Sequence, residues 1–218
     1  MPNPADKLIL GSRSPRRLEL LSLLLPRDRI EVRAPSDPSE AGFDDLTEVA
    51  QIEQRLAEIA RAKNVDVATQ PACSDSAILT ADTTIVGVGE DGRPAVLGQP
   101  PEDDSWKDVV RDWFERYYLG VWHTALTAIC LRTPDGRLHE ALSRTEIRFR
   151  SDGRDWLDWY IATGEPRGKA GGYGLQGAAD LFVERIIGSP SNVVGLPLRE
   201  TAALLQRWDA SLRLRTIR

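Results

Sequence analysis

Asp82 stands inside "AILTADTTIVGVG" (residues 77 to 89), a run that is otherwise β-branched or small and almost uncharged. Taking a carboxylate out of water is costly unless it is hydrogen-bonded, paired or bound to a metal. Asp82 therefore either meets a cleft, where it binds a divalent ion or takes a proton from water, or is buried as a cap on nearby backbone. A second chemical group is Arg16 with Arg17, placed just after Ser14 and Pro15 at the start of a leucine-rich helical pattern. A helix N-terminus presents unpaired N–H groups and partial positive charge, and two guanidinium groups there oppose the dipole. A bound anion, phosphate being the natural one, would compensate them; the plain alternative is a solvated turn. The third group is "GKAGGYGLQG" (168 to 177), with five glycines in ten residues. Such a loop lets backbone N–H groups approach a ligand, while Lys169 adds a point charge and Gln176 an amide able to read a base edge. It lacks the GK[ST] ending of a Walker motif and the GxGxxG form that opens a helix, so a plain flexible loop is its alternative.

These residues need elements to hold them. Leu8, Ile9 and Leu10 read as a short buried strand; Ser14 suits an N-cap and Pro15 the first helical position. Leu18, Leu21, Leu24 and Leu25 then follow at helical spacing. "RIEVRAPS" (29 to 36) alternates as a strand, and a polar loop carrying Asp37 and Glu40 comes next. Residues 46 to 64 place Val49, Ile52, Leu56, Ile59 and Ala60 on one helical stripe, with Lys63 near the same face at the predicted C-terminal end, where a lysine complements the dipole. After the Asp82 strand, "EDGRP" turns into "AVLG", a short hairpin. Trp106, Val109, Val110, Trp113, Phe114 and Tyr117 share an amphipathic helix and read as core. Residues 123 to 150 form two long strands around a PDG turn, and a helix with Trp156, Trp159 and Tyr160 leads to the glycine-rich loop. A strand "LFVERII" (181 to 187), a small-residue loop (188 to 197) and a helix from about Leu198 complete the pattern.

The composition narrows the function classes. A net charge of −5 argues against a general binder of nucleic acid polymers, which needs a basic surface. No apolar run approaches 18 residues and the first residues lack the charged and apolar regions of a signal peptide, so a cytoplasmic protein with no membrane partner is expected. Cys73 and Cys130 belong to no CxxC pair and read as structural thiols. Of 28 basic residues only Lys7, Lys63, Lys107 and Lys169 are lysines, so a lysine can mark a place that needs a compact ammonium.

"SRSPRRLELL", "ADTTIV", "LGQP", "HTALTAI", "GKAGGYGLQG" and "GSPSNVVGLPL" occur in the order and approximate spacing of the Maf-like nucleoside triphosphate pyrophosphatases, which the chain resembles over nearly its whole length. The resemblance implies an α/β fold in one unit over residues 1–218: a mixed elongated sheet with flanking helices and two lobes around a nucleotide cleft, related to inosine triphosphate pyrophosphatases and commonly a homodimer. It implies a metal-dependent hydrolase that cuts a nucleoside triphosphate between the α- and β-phosphates. Asp82 matches the catalytic acid; Ser12, Arg16 and Arg17 match the phosphate-binding turn; Glu40, Lys63 and Lys169 match the loop acid, the helix lysine and the loop lysine. Arg16, Thr83 and Gln176 carry the residue types of the branch hydrolysing dTTP and UTP, as against 7-methyl-GTP. Four cations could then neutralise a polyphosphate while Asp82 and Glu40 hold Mg²⁺ or Mn²⁺. The chain departs from the family in Gln99 for a usual lysine, Pro190 for a tyrosine, Gly172 for a common alanine, and the segment 101 to 122. Gln99 would also fit the alternative implied by the resemblance, a nucleotide-binding regulator of cell division with weak or no catalysis.

Overall fold

In a computed structural model, which describes residues 7–37 and 41–210, the apolar run Leu8–Gly11 forms β1 and is buried along its length. It lies parallel to β2 (Ile30–Val32) on one side and to β3 (Ala77–Val88) on the other. Beyond β3 the sheet is antiparallel through β5 (Trp122–Arg132), β6 (Leu138–Phe149) and β7 (Val183–Ile187). The seven-stranded sheet has the order β2-β1-β3-β5-β6-β7, with β4 (Pro94–Leu97) paired to β3 off this path. It is the mixed sheet with flanking helices that the motifs imply.

One detail of this topology places the chemistry. Along one edge β3 pairs with β5 from Ile78 to Val86. On its other edge β1 covers Ala77 to Thr80 and β4 covers Ile85 to Val88. Residues 81 to 84, Asp82 among them, fall in the gap between those two partners. Each side of the gap carries its own core. Leu8, Leu10, Leu21, Leu79, Leu196 and Leu205 pack at the β1 side; Ile85, Val110, Phe114, Tyr118, Phe149 and Phe182 pack at the β4 side. Two smaller clusters complete the core, one with Ile52, Leu56 and Leu126 and one with Ile9, Val67 and Ile78.

The elements follow local signals, with some departures. α1 (Pro15–Ser22) begins at the Ser14 cap, whose Oγ accepts from Arg17 N. It stops at Ser22 instead of continuing to Leu25, because Pro26 disfavours helical backbone in the residue before it. Leu25 is still buried. β2 is shorter than the alternation suggests, since Pro35 interrupts the strand pattern and Arg29 closes a 3-10 turn. α2 (Val49–Thr69) starts where Gln51 Oε1 accepts from Glu48 N at 3.1 Å, and it runs on past the expected end. Lys63 is therefore inside the helix and not at its dipole-stabilised terminus. The loop 188–197 contains a short helix, α5 (Pro190–Val194), opened by Pro190 at a position where its missing N–H is harmless.

The remaining helices are α3 (Trp106–Trp113), α4 (Arg154–Ala162) and α6 (Leu198–Trp208). α3 continues into one π-helical turn, Phe114–Tyr118, and the predicted strand from 181 begins two residues later, after a 3-10 turn at 178–182. The aromatic helix is core as expected: Trp106 and Phe114 are buried, and Trp113 and Tyr117 pack against the same cluster. Cys73 and Cys130 are buried free thiols, and burial pushes Cys130 up to about 12. Among the described residues no helix is long and apolar enough to cross a membrane.

His123 sits in the aromatic core at 2% exposure, its Nε2 3.0 Å from Tyr173 Oη. Burial pushes its pKa down to about 3. The unfolded chain takes up a proton on this imidazole below about pH 6.5 and the folded one does not, so folding loses stability as pH falls from there toward 3. Between about pH 6.5 and pH 5, urea unfolding of the parent should lose about 1.5–2 kcal/mol from this group, a loss that His123→Gln does not show.

Candidate functional site

A cavity of about 1060 Å³ opens at the gap in the β3 edge. It is lined from the α1 turn (Ser12, Arg16, Arg17), from α2 (Lys63), from β3 (Asp82, Thr83) and from the glycine-rich loop (Lys169, Gln176). Apart from Glu40, which lies outside the described residues, every predicted site residue thus reaches one cavity. A smaller depression of about 490 Å³ at the β5–β6 turn and the end of α6 contains none of them.

Strand alternation decides which way the β3 side chains point. Thr80 Oγ1 donates to Ala60 O of α2 at 2.7 Å, and Asp82, two residues on, faces the same helix. There Lys63 Nζ meets Asp82 Oδ1 at 2.6 Å, with the two side chains 17% and 11% exposed. The buried-cap reading of Asp82 gives way to an ion pair at a cavity wall. Asn64, fully buried beside Lys63, donates to Ile78 O and Cys130 O at 2.9 and 3.1 Å. Those bonds fix the rotation of α2 and with it the lysine.

Thr83 points to the opposite face. Its Oγ1 accepts from Arg17 Nη2 at 3.1 Å and contacts Thr127 Oγ1 at 3.0 Å. Arg17 also donates from Nε to Gly195 O at 2.9 Å and from Nη1 to Ser12 Oγ at 3.5 Å. The guanidinium thus joins α1, β3 and the loop after α5. Ser12 Oγ in addition accepts from Ser14 N at 3.1 Å. Arg16, half-buried on the cavity wall, makes no hydrogen bond or ion pair among the described residues. The adjacent arginines, equal in the sequence, do different work: Arg17 is engaged by the protein and Arg16 faces the cavity.

Across the cavity Lys169 Nζ donates to Glu165 O. Burial lowers its pKa, the Glu165 charge opposes that shift and Arg16 adds to it, so the two cations feel one another. An anion between them relieves both. Gln176 is exposed at the cavity and its amide makes no hydrogen bond among the described residues. Gln99 is likewise exposed at the rim. Sequence reasoning missed Glu165, whose Oε2 accepts from Ala178 N at 2.7 Å. A Cβ at Gly177 would stand 2.5 Å from both carboxylate oxygens, so glycine there is the local trace of this packing. It also missed Thr127 and Asn192; Thr127 Oγ1 donates to Asn192 O at 3.0 Å, a contact between distant elements with no signal in local spacing.

A mixed sheet split at one strand edge, with a carboxylate–lysine pair on one wall of the opening and Arg16 and Lys169 also lining it, defines an α/β protein built around a polar, charged cavity. The chain belongs to the Maf family: the family model described as "Maf-like protein" matches residues 7–208. It is 40% identical over 212 residues to the dTTP/UTP pyrophosphatase of Anaeromyxobacter dehalogenans, covering 93% of this chain and 94% of that one. Similar relatives bearing the same name come from Burkholderia orbicola, 41% identical with 91% of each chain covered, and Agrobacterium fabrum, 36% identical with 94% and 93% covered.

The two arginines should separate in a stability measurement. Arg17→Ala leaves the Gly195 carbonyl and the Thr83 hydroxyl without their charged donor and should destabilise by about 2–3 kcal/mol in urea unfolding. Arg16→Ala removes a charge that opposes the α1 dipole and breaks no hydrogen bond, so stability should stay within about 0.5 kcal/mol or rise.

Proposed function

We propose that this chain is a nucleoside triphosphate pyrophosphatase that hydrolyses dTTP and UTP to the monophosphate and pyrophosphate, with residues 1–218 acting as one catalytic unit. The observation that carries the reading is the single cavity holding Asp82, Lys63, Arg16, Lys169 and Gln176 together. The dTTP/UTP pyrophosphatase names of relatives 36–41% identical over more than nine-tenths of the chain support the same substrates.

In this reading Arg16 and Lys169 neutralise polyphosphate oxygens at the capped N-terminus of α1, where unpaired N–H groups add to the field. Ser12 and Arg17 support that turn, and Arg17 presents to the phosphates whatever donor capacity its protein contacts leave. Lys63 keeps the Asp82 carboxylate aimed along the cavity wall. Asp82 accepts the proton of the attacking water; the water oxygen bonds to phosphorus as the bridging P–O bond of the α–β anhydride breaks, and the electron pair leaves with pyrophosphate. Gln176 addresses the carbonyl, N3–H, carbonyl edge shared by uracil and thymine, and Thr83 fixes Arg17 behind the phosphate turn.

A divalent cation, Mg²⁺ or Mn²⁺, fits this donor set in one particular way. Among the described residues no three His, Cys, Asp or Glu side chains converge as a cage. Mg²⁺ at phosphate sites takes one or two carboxylates and completes its shell with phosphate oxygens and water, so Asp82 and Glu40 would be its protein ligands. When bound, such an ion neutralises polyphosphate charge and polarises the phosphorus under attack. Family membership leads us further to propose a cytoplasmic homodimer, which sedimentation equilibrium checks for its oligomeric state.

Pyrophosphate release measured with dTTP, UTP, dCTP, CTP and 7-methyl-GTP, each with Mg²⁺ or Mn²⁺, tests the reading directly. Asp82→Asn should lower kcat by roughly two to four orders of magnitude while nucleotide binding, followed by calorimetry, persists. Near-parental turnover by a folded Asp82→Asn protein would return Asp82 to a purely structural pair with Lys63.

Base selection gives a separate expectation. Cytosine inverts part of the edge pattern that thymine and uracil share, and each unmatched polar group costs roughly 1–3 kcal/mol. dTTP and UTP should exceed dCTP and CTP by at least about tenfold in kcat/KM, and Gln176→Glu should erode that ratio. Equal rates for all four pyrimidine triphosphates, or a preference for 7-methyl-GTP, would contradict the specificity and leave the pyrophosphatase chemistry standing.

A further inference from the structure

The glycine-rich loop carries Lys169 near its start and Gln176 near its end, and both line the cavity. Between them the backbone dips into the aromatic core of the β4 side. Gly171 and Gly172 take φ values of 70° and 66°, and a Cβ on Gly171 would come within 2.5 Å of Ile85 Cγ1 and 2.7 Å of Tyr118 Oη. Carbonyl groups are thereby carried away from water and need donors. Tyr118 Oη donates to Gly171 O at 2.9 Å and Tyr160 Oη to Gly172 O at 3.1 Å. Gly171 N donates in turn to Gly98 O at 2.8 Å. The third tyrosine, Tyr173, belongs to the loop itself and meets His123 Nε2 at 3.0 Å.

The anchors come from separate parts of the chain. Tyr118 ends the π-helical turn after α3, Tyr160 lies on α4 and His123 on β5. All four side chains are buried, at 0%, 0%, 4% and 2% exposure for Tyr118, Tyr160, Tyr173 and His123. A phenylalanine would fill the same space as any of these tyrosines, so packing alone does not call for the hydroxyls. A π-helical turn brings one extra residue between its hydrogen-bonded groups, and here Leu119 N reaches Phe114 O at 2.9 Å. That widening sets where Tyr118 points.

We infer that Tyr118, Tyr160 and the His123–Tyr173 pair are positioning residues: their hydroxyl and imidazole bonds hold the glycine-rich loop in place and, through it, set Lys169 in the cavity wall and the base-facing Gln176. The kinetic consequence rests on the proposed pyrophosphatase activity; the anchoring itself rests on the loop's own geometry. Losing one anchor leaves a buried carbonyl unpaired and frees the loop locally, while the ring still fills the core. Substrate binding and base selection should suffer more than turnover, because the Asp82–Lys63 pair is held by other elements.

The test uses the full chain with Tyr118→Phe and Tyr160→Phe, and Leu205→Ala as a control. Leu205 lies on α6 in the separate β1-side core, which contains none of the anchors and no loop residue. In each tyrosine variant, amide hydrogen exchange over residues 168–177 should rise about tenfold. KM for dTTP should rise about three- to tenfold with kcat changed less than about twofold, and the dTTP to dCTP ratio should fall. Leu205→Ala should lower the melting temperature and leave loop exchange and KM as in the parent. Unchanged loop exchange in both tyrosine variants would overturn the inference, as would an equal KM rise in Leu205→Ala. Should the parent release no pyrophosphate from dTTP, the functional reading fails and loop exchange alone still decides the anchoring. If Tyr118→Phe does not fold, Tyr160→Phe carries the same measurements.

Discussion

Strand β3 has more partners than one edge can hold continuously, and the site depends on that constraint. β1 and β4 share the edge opposite β5, and neither covers residues 81 to 84. Backbone and side chains there meet an opening in place of a neighbouring strand, so a carboxylate can stand in the middle of a β-branched segment without being sealed into the core. Asp82 is still only 8% exposed. Its charge is tolerable because Lys63 approaches to 2.6 Å, and removing one member of so enclosed a pair is far more costly than the pair is stabilising.

Polar groups, more than apolar contacts, set the position of that pair. Thr80 donates to Ala60 O, and the buried Asn64 amide reaches carbonyls on β3 and β5. Apolar packing of Ile52, Leu56 and Ala60 against the sheet supplies most of the burial of α2, but such contacts tolerate small slides and rotations. Directional bonds to fixed carbonyls do not, which is how a helix can deliver an ammonium to a carboxylate on a neighbouring strand.

The opposite wall gathers cations, Arg16 and Lys169. Arg16 has no protein partner among the described residues and disfavours the protonated form of Lys169. The Glu165 charge acts on Lys169 in the opposite sense and more strongly, so it is Arg16 that this wall leaves without a countercharge among the described residues. Arg17 and Thr83 form the fixed frame behind it, tied to Gly195 and Thr127. The site therefore joins a rigid, internally bonded half to a half in which Arg16 faces the open cavity.

Much of this was legible in the sequence. The Ser14 cap, Pro15 and the leucine spacing determined the strand, turn and helix that display Arg16, because those signals act within one or two turns of chain. The β-branched run isolated Asp82 as the one charge in a central strand, and the glycines marked a loop of close backbone approach, expected toward a ligand and found at Gly171 and Gly172 toward the core side chains Ile85, Tyr118 and Val110. The tertiary structure alone decided that Arg17 is engaged by the protein while its neighbour is not, since its acceptors include Gly195, 178 residues away. It also decided that Lys63 answers Asp82 instead of a helix terminus, and that tyrosines from two separate helical segments hold the glycine loop. Periodicity and capping report which face of an element is apolar and where it ends; they carry no record of which distant hydrogen-bond partner the finished packing brings within about 3 Å.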